Sequence, residues 1–175
     1  MPRHQLTPTM AAIWTQWPAH PQPAVLDELL AVAGQDLAPL PASERLDLLV
    51  AAASALDAIT HGAGTQAHAG HLSLIANIAA LLAEYGLGAE YLAELQTVQA
   101  EVACLVDRGQ RLGRWALSGP GIQAVQALIS IHAAQLQSDD CTHHLRTTVL
   151  REMRRRMQEG HTINAQPVGL RGSLT

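Results

Sequence analysis

From Ala89 to about Trp115 the residues Leu92, Leu95, Val98, Val102 and Leu105 alternate three and four apart. A strand turns successive side chains to opposite faces, so only a helix gathers that spacing onto one side. It is also the spacing with which paired helices interlock, each apolar side chain filling a gap in its neighbour. Elsewhere the apolar content is mostly Ala and Leu, with no Phe, two Tyr and three Trp in 175 residues. Strands favour β-branched and aromatic residues, whereas Ala and Leu favour helices, so the expected fold is all-α, a helical bundle. A chain of this length buries roughly 70% of the surface its unfolded form exposes, enough for a core without disulfide or metal staples.

Glycine and proline punctuate the helical pattern into about six to seven segments, mainly antiparallel because the connections are short. Thr7 and Pro8 open a first helix, 8–17, that carries Ile13, Trp14 and Trp17 and stops at Pro18. After the proline-rich stretch from His20 to Pro23, a second helix, 24–33, ends at Gly34. A third, 41–60, repeats Leu46, Leu49, Val50, Ala53 and Leu56 as its expected core stripe, with Arg45, Asp47 and Asp57 on the solvent side. The fourth, 66–85, is apolar over more than half its circumference through Leu72, Leu74, Ile75, Ile78, Leu81 and Leu82, as a central helix should be. The fifth is 89–115, and the sixth, 119–137, is capped by Ser118 and stripes Ile122, Val125, Leu128, Ile129 and Leu136. Asp139 or Asp140 is expected to cap the seventh, 141–159, which closes at Gly160. Residues 1–160 thus read as one helical domain, and 161–175, without periodicity, as an irregular tail.

No apolar run approaches the ~20 residues that a bilayer requires, and the first ten residues lack the apolar centre of a signal peptide. The expectation is a soluble, cytoplasmic protein with no membrane association. Two cysteines, Cys104 and Cys141, are too few for a disulfide framework or a zinc module. Cys104, within the apolar stretch Val102 to Val106, is expected to be a small core residue.

Charge is distributed unevenly. Residues 1–140 hold five Arg against thirteen Asp or Glu, whereas residues 141–175 hold six Arg against two Glu. On a helical wheel Arg151, Arg154 and Arg155 fall within about a third of the circumference, opposite Leu145, Val149, Met153 and Met157. Such a stripe serves as a solvated helix end, as a surface for an acidic protein, or as a contact for nucleic-acid phosphates. Without aromatic interleaving or a helix-turn-helix, the nucleic-acid reading is the alternative and the protein reading leads. Trp14 and Trp17, three apart, are the second candidate partner-binding pair.

Two clusters have ligand or catalytic residue types. His61, His68 and His71 gather near a helix break, but no carboxylate or thiol completes a metal set in sequence. Asp139, Asp140, Cys141, His143 and His144 offer better ligands, yet their spacing is that of an ordinary helix start, and no metal or cofactor is expected. Cys141 with His144 has the chemistry of a nucleophile and base on a first helical turn, but no oxyanion donor accompanies them, so no catalytic residue is assigned. Gly119-Pro120-Gly121 lacks the lysine of a phosphate-binding loop and marks a helix junction.

The stretch Arg114-Trp115-Ala116-Leu117-Ser118-Gly119-Pro120-Gly121, running on through Ala127 to Gln135, resembles small helical proteins carried by phages and other mobile elements of GC-rich proteobacteria. The resemblance implies an accessory or host-directed inhibitory role and transfers no functional residue. Together these readings lead to a non-enzymatic helical protein–protein interaction module that also forms a homo-oligomer.

Overall fold

The computed structural model describes residues 39–159, and among them the chain is helical with no strand. Five α-helices follow in order: α1 Ala42–Thr60, α2 Gln66–Glu84, α3 Leu92–Leu112, α4 Gly119–Gln137 and α5 His143–Gln158. A short 3-10 turn, Ala89–Tyr91, leads into α3. The expected helices 8–17 and 24–33, with Trp14 and Trp17, and the tail 161–175 lie outside the described residues.

The centre of the arrangement is α2. Every residue from Ala69 to Ala83 is buried, so the helix is enclosed on all sides, as its apolar circumference predicts. It touches α1, α3, α4 and α5. Two clusters of buried side chains share it. Leu72, Ile75, Ala76 and Ala79 meet Leu95, Val98, Val102 and Leu105 of α3 and Val125 and Leu128 of α4. Leu74, Ile78, Leu81 and Leu82 meet Val149, Leu150 and Met153 of α5. Each fully buried Leu in these clusters contributes about 1.5–3 kcal/mol relative to exposure.

Gln99, Asn77, His132 and Gln135 are hydrogen-bonded inside this core. Gln99 Nε2 donates to Asn77 Oδ1 at 2.8 Å. Gln135 Nε2 donates to the carbonyls of Ala79 at 3.0 Å and Leu87 at 2.8 Å, joining α4 to α2 and to the connection that follows it. Gln135 Oε1 lies 3.2 Å from His132 Nδ1, so the imidazole donates from that nitrogen.

Local chemistry explains the helix ends, and corrects two expectations there. Thr142, not Asp139 or Asp140, caps α5: its hydroxyl accepts from the Leu145 N–H at 3.2 Å. Cys141 therefore precedes the helix instead of occupying its first turn. The expected helix 89–115 stops at Leu112, because Gly113 takes the left-handed conformation at φ 65° and the chain turns back. Trp115 then seats its indole against Gly109 of α3, where a side chain would collide with the ring.

On α1 the buried row is not the expected one. The expected stripe of Leu46, Leu49, Val50, Ala53 and Leu56 contributes only Leu56 to the buried set, which is Leu48, Ala51, Ala52, Ala55, Leu56 and Ile59. Both rows have helical spacing, and the core takes the one richer in alanine, because small side chains let α1 approach α2 and α4 closely. Leu46 and Ala53 remain exposed, and Leu49 and Val50 half-buried. Cys104 is likewise exposed instead of buried. The seam through Val98, Val102, Leu105 and Val106 places residue 104 on the outer side of α3.

Candidate functional site: the outer faces of α5 and α1

On α5, Thr147, Val149, Leu150 and Met153 are buried, which leaves the arginines on the outside. Arg151 is exposed, Arg154 half-buried and Arg155 exposed. The structure adds carboxylates that the arginine count hides. Arg155 reaches Glu152 at 2.7 Å and Glu159 at 2.7 Å, both on its own helix. Arg156 reaches Glu152 at 2.7 Å and, across to the end of α2, Glu84 at 2.5 Å. Hydrogen bonds from Arg155 and then Arg156 hold the Glu152 carboxyl far down, at about 2. The guanidinium of Arg155 is raised above its ordinary value by Glu152 and Glu159.

Arg155 of the basic stripe, and Arg156 beside it, are therefore matched by acidic groups of the same chain. Arg151 has no carboxylate partner among the described residues. The Arg155–Glu159 pair is exposed, where such links are weak and exchange readily with outside ions, whereas the Arg156–Glu152 pair is part-buried. Glu152, Glu159 and Glu84 were missed by sequence reasoning, although two of them sit three or four positions from Arg155 and were legible as helix pairs.

The outer face of α1 is the second candidate surface. Leu46 is 41% exposed, and the row continues through Leu49, Val50 and Ala53 to Asp57, which pairs with His61 at 3.1 Å in full view of solvent.

The ligand-type clusters do not assemble. His61 is exposed on Asp57, His68 bonds Thr65 Oγ1 at 3.1 Å, and His71 is buried in α2. Burial, and then the neighbouring His68, push His71 down to about 3. No group of three His, Cys, Asp or Glu that would hold a metal occurs among the described residues. Cys141 is fully buried, whereas His144 is exposed. Desolvation raises the Cys141 thiol against the opposing pull of Arg146 and Arg45, the reverse of what a nucleophile needs.

A cavity of about 350 Å³ opens where the Gly113–Ser118 connection passes the end of α1, lined by Ile59, Thr60, Arg114, Trp115, Leu117 and Ile122 among others. Arg108 donates to the carbonyl of Ala116 and fixes that connection. Among the described residues Arg114 is the cavity's one charged lining group.

No helix among the described residues is long and apolar enough to cross a membrane. Comparison of the chain with protein-family models, with curated proteins and with solved structures finds no match.

Proposed function

We propose that the chain is a non-enzymatic helical module that binds another protein through the outer face of α5. The observation that carries this reading is Arg151, an exposed guanidinium without a carboxylate partner among the described residues, set beside the exposed Glu152–Arg155–Glu159 links. A partner carboxylate engages Arg151 directly and displaces the outer Arg155–Glu159 link at little cost, since both of its side chains are exposed. The partner surface is acidic at the point that meets Arg151 and accommodates the acidic groups around it. The Trp14–Trp17 segment supplies a second contact in this proposal. The connections in the described region are five, four, six and five residues long between successive elements, which supports an antiparallel bundle of six to seven helices once 8–17 and 24–33 are added.

A nucleic-acid partner would use the same helix, but with Glu84, Glu152 and Glu159 occupying two of the arginines its footprint is small. Affinity purification from the native host, run side by side for the wild-type chain and Arg151→Glu, tests the proposal. The single substitution is preferable to a triple one, because Arg155→Glu would set three carboxylates on one helix face. A protein recovered with the wild type and reduced about tenfold with Arg151→Glu, at unchanged helical circular dichroism, is the expected result. Identical recoveries from both chains overturn it, as does co-purifying nucleic acid whose binding falls steeply with salt.

A further inference from the structure

We infer that α1 is the seam of a symmetric homodimer, pairing antiparallel with α1 of a second copy around a two-fold axis between Leu49 and Val50. This surface is separate from the α5 face and does not depend on the reading given to it.

Helix α1 has two apolar rows. One is buried in the core through Leu48, Ala52, Ala55 and Ile59. The other, Leu46, Leu49, Val50 and Ala53, stands on the opposite side, with Leu49 at its edge against the second core cluster. Taking 100° per residue, the positions within about 60° of Leu46 are Ala42, Ser43, Leu49, Val50, Ala53, Asp57 and Thr60. The strip thus carries no charge along its length until Asp57. Ionised groups occupy the neighbouring positions Arg45 and Asp47, so the uncharged strip is bounded and not a generally apolar surface.

The row is its own complement. Reversing it about the midpoint between Leu49 and Val50 sets Leu46 opposite the partner's Ala53 and Leu49 opposite the partner's Val50. Each large side chain then faces a smaller one, the fit that interlocking helices require, and the contact is the same patch on both copies. The same operation sets Asp57 opposite the first turn of the partner's α1. That turn begins after Pro41, which offers no side-chain acceptor to its N–H groups. A carboxylate at a helix N-terminus is favourable, and the two-fold axis supplies it twice. An uncharged apolar helix from an unrelated protein would match the strip by size alone; a second copy matches it in size and in charge. A single helix pair is small for an interface, so the dimer is micromolar or weaker.

Sedimentation equilibrium of the full chain from micromolar to millimolar concentration tests this, with Leu46→Glu and Asp57→Lys as variants. Both residues are exposed and lie away from the core, and circular dichroism confirms that each variant is folded. The wild type is expected to pass from monomer to dimer. Leu46→Glu, which buries two unpaired carboxylates, weakens the dimer by more than about tenfold. Asp57→Lys, which turns two favourable end contacts into repulsive ones, weakens it by about threefold or more. A wild type that stays monomeric throughout, whether because residues 1–38 or a different protein covers the strip, overturns the inference. So does a dimer that Leu46→Glu leaves intact.

Discussion

The indole of Trp115 fills the space that a side chain on residue 109 would need, so the connection after α3 is held against the helix it has just left. Gly109 is buried in the last turns of α3, and Trp115 is half-buried above it.

Gly109→Ala should therefore destabilise the protein, against the usual gain of about 1 kcal/mol for replacing glycine inside a helix. Overpacking costs about 1–3 kcal/mol, and here it also lifts Trp115 off its seat. The expected net loss is about 1–2 kcal/mol in urea unfolding. Gly119→Ala is the control: a Cβ there meets nothing within 4 Å, and stability should stay within about 0.5 kcal/mol of wild type. Equal effects of the two substitutions would show that the indole does not occupy this position.

Acidification should weaken the fold before the carboxylates titrate. Burial lowers His71 to about 3, helped by His68, and lowers His132 to about 4, with Gln135 opposing and Arg146 assisting. In the unfolded chain both titrate near 6.5, so below that pH the unfolded state binds protons that the native state refuses. Stability is fully present above about pH 6.5 and falls as the pH drops towards the native values, by up to about 1.4 kcal/mol per pH unit for each histidine. Between about pH 7 and 5 the loss is on the order of 2 kcal/mol per histidine. Urea unfolding at the two pH values measures it, and His132→Gln should remove roughly half of the slope. A flat profile across this range would mean that neither imidazole is buried as described.

The two thiols should separate cleanly. Cys104 is exposed and Cys141 fully buried with its thiol pushed up by desolvation. A chromogenic disulfide reagent is expected to consume one thiol per native chain at the rate of a free cysteine and the second only as the chain unfolds. Cys104→Ser should abolish the fast phase. Fast labelling that persists in that variant would revive Cys141 as a reactive group.

The division between what was legible in the residues and what was not follows one physical line. Among the described residues, helix positions, the central place of α2 and the Ser118 cap were readable, because period, glycine, proline and cap chemistry act within a few residues. The 3–4 seam of α3 was readable too, since only one of its faces is apolar. Where a helix carries two apolar rows, periodicity has no phase: α1 offered Leu46, Leu49, Val50 and Ala53 or Leu48, Ala52, Ala55 and Ile59. The distance to α2 and α4 selected the second, because side-chain volume against a neighbour is not a property of one segment.

The charged face shows the same limit. That Arg155 meets Glu152 and Glu159 follows from spacing along one helix, but that Arg156 meets Glu84, far away in sequence, required α5 to lie across the end of α2. The amino-acid order by itself determined that the described residues are helical, most of the places where their helices break and the concentration of arginine near α5. Tertiary packing decided which apolar row is covered, which cysteine is sheltered and how much of the positive charge is left for a partner. Local rules act along the chain, whereas burial and ion pairing depend on which segments meet.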